Sequence, residues 1–347
     1  MSVTALEKRL TVIGSGLAGT LLVRALTSRG AGPITWLGRV DTASGSSVPC
    51  ALVHPFVGRS FAPSPDLAEA WRVSSRWAED LPSSCAVHRA PMQRVAGDDR
   101  GGDRLRRSWE RHHEQLSAEM RAAFTLPPPP DGGRPRMFTY GPTFALDLPA
   151  AIRWCQAQLT VAATDAEVAR LEALQLGWRV HLEGGDAFTT REVVVCAGAG
   201  ARGLLRAHTD TGHLEHVEGR LVHQEGEPLR TFTIDRGHVA SSATRVAWGS
   251  SFRSCDRPGA DDAEAQLHAI ESRLAAHCPT LPRLGDASVW SGVRVVDKQS
   301  RRPWIETVGQ GLHVFSAFGS KGVLWIPLLA ERWAERWAAQ DAATKPP

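Results

Sequence analysis

The chain has 347 residues, of which 42% are hydrophobic and 22% are charged, and its net charge at pH 7 is only +3. This composition is typical of a globular protein with a sizeable core, in one large domain or two interleaved ones. The net charge is too small for a dedicated nucleic-acid-binding protein, although the chain can still contain a local basic patch.

The six cysteines form no CxxC pair and show no metal-ligand spacing with histidine. A chain of this length does not need disulfides to hold a small core together. We therefore expect reduced thiols, a cytoplasmic location and no bound metal.

The amino-terminal segment combines the charged pair Lys8-Arg9 with an apolar run, which is a feature of secretory signals. Three glycines interrupt this run, and no other stretch approaches the roughly 20 apolar residues that a membrane span requires. We therefore expect neither a signal peptide nor a membrane partner.

A strand, a glycine-rich turn and a helix are predicted at the start of the chain. The strand is the apolar run Leu10–Ile13, the helix continues over 20–27, and the turn between them is Gly14-Ser15-Gly16-Leu17-Ala18-Gly19. In a dinucleotide-binding turn of this form, the first glycine permits the bend, the second lets amides approach a pyrophosphate, and the third lets the helix pack on the strand. The helix amino terminus favours the negative charge. A second strand over 33–37 completes the unit, so we predict a dinucleotide site; a glycine-rich turn without a ligand is the alternative.

The end of this second strand departs from the usual pattern. An acidic residue there normally binds the adenosine ribose, but the positions after Leu37 are Gly38 and Arg39. Asp41 is the candidate if the strand end is bulged. Otherwise Asp41 is a turn or cap residue, and backbone or water holds the ribose.

Helices and loops alternate in the middle of the chain. The predicted elements are a helix over 66–81, a surface loop over 97–103, an exposed charged helix over 104–124, a solvent-facing connector at Pro127–Gly133, a helix over 146–159 and a hairpin formed by 167–171 and 177–182. A polyproline ligand for a partner is the alternative for the connector. The arginines and histidines over 104–113 could dock an RNA backbone, but a solvated helix face is the more common use of such a mixed charge pattern.

Four further segments resemble, in their order along the chain, the cofactor and substrate segments of one enzyme family. They are Ala43–Ser47 with Cys50–Pro55, Val193–Ala199, Trp290–Arg294 with Arg302–Ile305, and Leu312–Gly322. This combination is similar to the D-amino-acid oxidase-like superfamily of FAD-dependent oxidoreductases, which includes glycine oxidase and sarcosine oxidase. The resemblance implies an α/β fold of the glutathione-reductase type, with a Rossmann-like FAD-binding domain and an inserted α+β substrate domain. The implied division is discontinuous, with 1–65, 145–210 and 285–347 in the FAD-binding domain and 66–144 and 211–284 in the substrate domain.

The resemblance also implies that FAD is the cofactor and assigns residues to it beyond the first glycine turn. These are Ser44, Gly45 and Ala51 along the flavin, Val168 at the adenine, Ala197 and Gly198 after a late strand, and Gly319, Ser320, Lys321 and Gly322 in the final flavin-binding turn. The helix that begins near Gly322 would stabilise negative charge on the reduced flavin. Cys50 and Cys196 lie in suggestive segments, but we expect the flavin to be bound noncovalently.

Two residues are candidates for catalysis. In this superfamily an amine gives up a hydride to the flavin, and Arg294 matches the position that binds a substrate carboxylate. A structural ion pair is the alternative for Arg294. Lys321 could present a cation to the flavin or the substrate, and a solvated loop lysine is the alternative.

Other polar and aromatic residues are weaker candidates. His54 could touch the flavin or substrate, and a structural histidine is as common. Tyr140 could supply an active-site hydroxyl, but a surface aromatic is the favoured interpretation. The tryptophans of the last helix are predicted to pack rather than to react: Trp325, Trp333 and Trp337.

The middle segments Glu218–Arg220 and Trp248–Phe252 are similar to the FAD domain of a bifunctional enzyme family that modifies the wobble uridine of tRNA. We expect no counterpart of that family's methyltransferase part, which favours an FAD-dependent oxidase or dehydrogenase acting on a small amine or amino acid. The alternatives are a tRNA wobble-uridine (carboxymethylaminomethyl) oxidoreductase with tRNA as partner, and a flavin-binding subunit without turnover.

Overall fold

The structure is a computed structural model that describes residues 10–39, 41–56, 62–96, 98–116, 118, 121, 137–235, 237–255, 263–276, 278 and 281–344. The helices are α1 Leu17–Thr27, α2 Leu67–Glu79, α3 Asp99–His112, α4 Leu148–Ala157, α5 Ala201–Leu205, α6 Ala263–Ala275 and α7 Gly322–Thr344. The strands are β1 Leu10–Ile13, β2 Ile34–Leu37, β3 Ala51–Val53, β4 His88–Val95, β5 Met137–Leu146, β6 Val168–Leu174, β7 Gly177–Leu182, β8 Ala187–Thr190, β9 Glu192–Val195, β10 Leu214–Glu225, β11 Phe232–Ile234, β12 His238–Ser241, β13 Arg245–Gly249, β14 Arg253–Ser254, β15 Ser288–Asp297, β16 Trp304–Gly309 and β17 Leu312–Ser316.

The first sheet has five strands in the order β16-β17-β9-β1-β2 and is mostly parallel. β1 pairs in parallel with β2 on one side and with β9 on the other, and β17 continues the parallel run beside β9. The residues of β1 are all buried and apolar or small, as expected for a strand covered on both faces. The next strand in the chain, β2, pairs on one side of β1, and the much later strand β9 pairs on the other side. The order of the strands therefore reverses at β1, and the carboxyl ends there form a topological switch point, where such sheets bind ligands.

The second sheet has nine strands and is mostly antiparallel. Its order is β14-β10-β13-β12-β11-β4-β5-β3, and β15 pairs with β10. The pairing of β10 with β15 is long and places Val217 opposite Arg294. Two of its strands carry arginines that belong to the candidate site, with Arg94 on β4 and Arg294 on β15.

The third sheet is the antiparallel meander β6-β7-β8. It confirms the predicted hairpin, with Leu171 opposite Val180. The segment that leads into it runs beside β2, because Leu37 and Thr164 form a parallel bridge.

The predicted division into two discontinuous domains stays a prediction. The five strands of the first sheet lie within the segments assigned to the FAD-binding domain, but β3 and β15 of the second sheet lie in those segments as well.

Two predicted helices are confirmed with slightly shorter limits. The helix predicted over 66–81 is α2, whose buried face includes Trp71 and Trp77. The helix predicted over 146–159 is α4, where the Asp147 carboxylate accepts a hydrogen bond of 2.9 Å from the Ala150 amide at the helix start.

The loop predicted over 97–103 is wrong over most of its length, because α3 begins at Asp99. The Asp98 side chain caps this helix by accepting a hydrogen bond of 2.6 Å from the Gly101 amide. Gly101 and Gly102 are buried in the first turn, so these glycines let the helix pack closely instead of breaking it. The predicted helix over 104–124 is interrupted, because α3 ends at His112 and a short 3-10 turn follows, whereas Ala118 and Arg121 are helical again.

The connector predicted at Pro127–Gly133 lies outside the described residues, as do residues 117, 119–120 and 122–124 of the predicted charged helix. Within the described ranges, every helix is too short or too polar to traverse a lipid bilayer.

Candidate functional site

A large cavity of about 1980 Å³ lies where the first sheet meets the second. Its lining includes Gly14, Gly38, Cys196 and Ala317, which directly follow the four parallel strands of the first sheet. Sites for ordinary small ligands measure roughly 300–1,000 Å³, so this cavity has room for a much larger molecule. The predicted site residues, with the exception of Gly19, all line it.

The first glycine turn is fixed by close backbone packing. Gly14 has a φ of +112°, and a Cβ on it would collide with the backbone of Cys196. A Cβ on Gly19 would collide with the carbonyl oxygen of Gly14, so Gly19 lies at the contact of helix and turn and not in the cavity lining. A Cβ on Gly16 would lie 2.6 Å from the Ser46 hydroxyl. A side chain at any of these three positions would therefore collide with a neighbouring part of the chain.

The start of α1 has the character of an anion site. Gly16 precedes the helix without a side-chain cap of its own, the Leu17 amide donates to the Ser46 hydroxyl at 3.1 Å, and the first turn contains no acidic residue. The Ser15 hydroxyl is buried and has no hydrogen-bond partner among the described residues. A helix amino terminus with unsatisfied donors favours a phosphate group, and so these residues fit the pyrophosphate of a dinucleotide.

A second turn, at the start of α7, borders the same cavity. Gly319, Ser320 and Lys321 form a 3-10 turn, and α7 begins directly after it at Gly322 without an acidic residue in its first turn. Lys321 is partly buried, and burial lowers the pKa of its amino group. The helix terminus and the lysine both add positive potential to this part of the cavity.

Arg294 lies on β15 with its guanidinium in the cavity. Its Nη2 atom is buried and has no hydrogen-bond partner in the described part of the chain. Its Cζ lies 4.2 Å from the ring centroid of Phe252, so the guanidinium stacks on an aromatic face. Burial lowers the pKa of Arg294 to about 10, which leaves it charged at neutral pH. The ion-pair alternative finds no support among the described residues, because no carboxylate there lies within salt-bridge distance of Arg294.

His54 and Tyr140 form a buried pair next to the cavity. The Tyr140 hydroxyl lies 3.3 Å from His54 Nδ1, and Tyr140 is only 1% exposed. The prediction of a surface tyrosine is therefore wrong, since Tyr140 is on the inward face of β5 and packs edge-on against Phe56. His54 lines the cavity, and burial together with the charge of Arg94 lowers its pKa to about 3. The imidazole is neutral at physiological pH.

The remaining predicted residues come from all three sheets and the loops between them. Ser44 and Gly45 lie against β15, where the Val293 amide donates a hydrogen bond of 2.8 Å to the Ala43 carbonyl. Ala51 begins β3, Val168 begins β6, and Ala197 and Gly198 follow β9. Asp41 lines the cavity, but its carboxylate accepts a hydrogen bond of 3.0 Å from the Ala43 amide, as a turn residue does.

The sequence model of the family DAO, described as FAD dependent oxidoreductase, matches residues 9–336. The chain belongs to this family. The resemblance inferred from the four segments is thereby confirmed, and FAD is the cofactor that the glycine turn, the two helix termini and the large cavity fit.

Two curated relatives carry the same printed name, tRNA 5-methylaminomethyl-2-thiouridine biosynthesis bifunctional protein MnmC. The protein from Maricaulis maris is 25% identical over 341 residues, which cover 95% of this chain and 52% of the relative. The protein from Idiomarina loihiensis is 25% identical over 345 residues, which cover 94% of this chain and 55% of the relative. The DAO chain thus spans about half the length of the curated relatives it matches.

Solved structures confirm the predicted fold class. Glycine oxidase from Geobacillus kaustophilus has a TM-score of 0.75 at 17% identity, with 95% of this chain and 94% of that chain covered. Glycine oxidase from Bacillus cereus has a TM-score of 0.74 at 16% identity, with 96% and 95% covered. Iminodiacetate oxidase from Chelativorans sp. BNC1 has a TM-score of 0.72 at 16% identity, with 97% and 96% covered.

Sequence reasoning missed several side chains of this DAO-family cavity. Arg94 on β4 is only 6% exposed, and its guanidinium lies 3.4 Å from the Phe56 carbonyl oxygen. The alternation of buried Ala90, Met92 and Arg94 along β4 is the signal that would have found it. His238 on β12 is partly buried at the cavity, and desolvation together with the charge of Arg294 lowers its pKa to about 4. Asp235 is a buried acidic residue of the same lining.

The predicted absence of a metal site rests on the sequence alone. Among the residues that the structure describes, no cluster of three histidine, cysteine or acidic side chains has metal-binding geometry.

Proposed function

We propose that this protein oxidises the C–N bond of an amino acid or secondary amine that carries a carboxylate. The observation that supports the proposal most directly is the Arg294 guanidinium, which is buried in the cavity with Nη2 unpartnered. A buried donor without an acceptor costs free energy, so a ligand that supplies the acceptor explains its presence. A guanidinium can donate two parallel hydrogen bonds to a carboxylate, which also fixes the carboxylate's orientation.

The chain's other residues would complete the site as follows. A carboxylate held at Arg294 fixes the position of the adjacent carbon, from which the hydrogen leaves. Bound FAD supplies the acceptor for that hydride. His54 adds a neutral hydrogen-bonding group because burial keeps it unprotonated, and Lys321 adds a positive charge from the side of α7.

A tRNA wobble-uridine oxidoreductase is the second candidate function. Its support is the printed name of the curated relatives. A carboxymethylaminomethyl group is itself a secondary amine with a carboxylate, so it would use Arg294 in the same way. The exposed arginines of α3 adjoin the cavity, since Arg104 contributes to its lining while Arg107 and Arg111 face solvent. These side chains would contact the phosphate backbone.

The third candidate is a flavin-binding subunit without turnover. It would retain both helix termini at the cavity and would use Arg294 only as a structural group. Spectroscopy of the loaded protein distinguishes it from the two enzymes.

The test is an anaerobic absorption spectrum of the purified protein in the flavin band during addition of glycine, sarcosine, other N-substituted glycines, D-amino acids and finally modified tRNA. We expect a carboxylate-bearing small amine to reduce the flavin, and the matched amine without the carboxylate to do so far more slowly. Reduction by tRNA alone would replace the proposal with the second candidate. If none of these compounds reduces the flavin but dithionite does, the result would support the third candidate, a flavin-binding subunit without turnover.

A further inference from the structure

The end of β2 cannot carry the acidic residue that usually binds the adenosine ribose. Gly38 stands there with a φ of +127°, which is strained for any residue with a side chain. A Cβ on it would lie 3.1 Å from both Gly14 Cα and the Ser15 amide nitrogen. The close approach of β2 to the glycine turn therefore excludes a side chain at this position, and a ribose-binding acid must come from elsewhere in the chain.

Asp41, the nearest acid in sequence, forms hydrogen bonds within its own turn. One carboxylate oxygen accepts a hydrogen bond from the Ala43 amide at 3.0 Å, and the Asp41 carbonyl accepts another from the Ser44 amide at 3.0 Å. Because Asp41 also lines the cavity, it is the acid with which any other candidate must be compared.

A different segment brings acidic side chains to the end of β2. The Thr164 amide donates to the Trp36 carbonyl at 2.8 Å, and the Gly38 amide donates to the Thr164 carbonyl at 3.0 Å. The residues after Thr164 therefore continue alongside the end of β2. Glu167 lies in this segment, directly before Val168 at the start of β6.

Arg39 holds the Glu167 carboxylate at this place. Arg39 Nη2 lies 3.2 Å from Glu167 Oε2, and Arg39 Nε lies 3.9 Å from Asp165 Oδ1. Both side chains of the Arg39–Glu167 pair are largely exposed, so the pair contributes little to stability. Glu167 and Arg39 line the cavity, whereas Asp165 does not.

We propose that Glu167 binds the adenosine ribose of FAD in place of an acid at the end of β2, and that Arg39 is its positioning residue. An ionised carboxylate only accepts hydrogen bonds, so its partners must be donors such as ribose hydroxyls and not the phosphates. The Oε1 atom of Glu167 has no hydrogen-bond partner among the described residues and is available for them. The sequence distance between Gly38 and Glu167 explains why the pattern at β2 gives no sign of this acid.

The test measures FAD binding by the apoprotein through the change in flavin fluorescence, with FAD and with an analogue whose adenosine ribose lacks both hydroxyls. We expect the parent protein to prefer FAD by about tenfold or more, as for hydrogen bonds to a charged group. Glu167→Gln should remove this preference. Asp165→Asn is the matched control, because Asp165 also lies beside Arg39 and carries the same charge but does not line the cavity. This variant should still prefer FAD over the analogue.

Further comparisons make each outcome decisive. FMN lacks the adenosine, so its binding should be the same in all variants and shows that Glu167→Gln is folded. Arg39→Gln should reduce the preference for FAD without abolishing it. The proposal is overturned if the parent protein shows no preference, if Glu167→Gln retains it, or if Asp165→Asn or Asp41→Asn removes it instead.

Discussion

The cavity has two walls that are made in different ways. The wall from the first sheet is formed by backbone, with Gly14 and Gly19 packed so tightly that a Cβ on either would meet other main-chain atoms. The wall from the second sheet is formed by side chains, including Arg94, His54, His238 and Arg294, and burial lowers the pKa of each of the four. The first wall should therefore be sensitive to volume and insensitive to pH, and the second should be sensitive to charge and pH.

The largest expected effect follows from adding one methyl group to the first wall. Gly19→Ala would drive a Cβ into the carbonyl oxygen of Gly14, and the turn would have to move. We expect a loss of about 3 kcal/mol or more in the free energy of unfolding, the upper range for overpacking, together with weak FAD binding. Denaturant unfolding and flavin content measure the two effects.

Gly285→Ala is the matched control for this prediction. Gly285 lies outside the cavity lining, and a Cβ on it would meet no atom within 4 Å. Alanine has fewer conformations than glycine in the unfolded chain, so we expect equal or slightly higher stability. Equal behaviour of the two variants would show that the first wall is not fixed by close packing.

The same contrast explains what the sequence could and could not predict. The glycine turn is local, so its spacing, together with the strand before it and the helix and strand after it, predicts a dinucleotide site. The cavity side chains of the second wall come from strands far apart in the chain, and Arg94 was missed because β4 was not recognised. The stretch with Asp98, Gly101 and Gly102 was predicted to be a loop, because amino-acid composition does not show that the first turn of α3 needs small residues in order to pack closely.

Removal of the Arg294 charge should give the next largest effect, and it tests the second wall. Arg294→Gln should raise KM for a carboxylate-bearing amine by roughly tenfold to a hundredfold, the range for a lost hydrogen bond to a charged group. Flavin content should be unchanged, because FAD is expected to bind mainly to the other wall. Steady-state kinetics and the ratio of flavin to protein absorbance measure the two quantities.

Arg253→Gln is a suitable control for Arg294→Gln. Arg253 is on β14 beside β10, and its guanidinium lies 4.0 Å from a Glu218 oxygen, not in the cavity. It should leave KM unchanged. A parallel loss of flavin in Arg294→Gln would show that Arg294 has a structural role.

The third prediction concerns acid stability, which the second wall should control. The pKa of folded His54 is about 3, below the 6.5 of an exposed histidine, so between these values the unfolded chain binds a proton that the folded chain does not. The free energy of unfolding is therefore unaffected by His54 above pH 6.5 and falls as the pH decreases below it, by about 1.4 kcal/mol per pH unit. His238, with a pKa of about 4, should add a parallel dependence.

His54→Gln should reduce this slope by up to about 1.4 kcal/mol per pH unit, while His238 and the other groups with shifted pKa values keep their contributions. Denaturant unfolding from pH 7 down to pH 4 measures the slopes. Tyr140→Phe is the control, because it removes the hydroxyl 3.3 Å from His54 Nδ1 but leaves the imidazole buried, and it should retain the full slope. An unchanged slope in His54→Gln would mean that the imidazole is protonated or accessible in the folded protein.

The smallest expected effect comes from Phe252, which is half exposed and covers the Arg294 guanidinium at 4.2 Å. Stacking on an aromatic face at a partly exposed site is worth about 0.5–1 kcal/mol, so Phe252→Leu should raise KM for the carboxylate-bearing amine by roughly twofold to fivefold. Phe252→Tyr keeps the ring and should match the parent protein. If the ring acts by holding Arg294, Phe252→Leu should have no further effect in an Arg294→Gln background, because the two side chains then contribute as a coupled pair. Additive effects would instead mean that Phe252 contacts the substrate independently of Arg294.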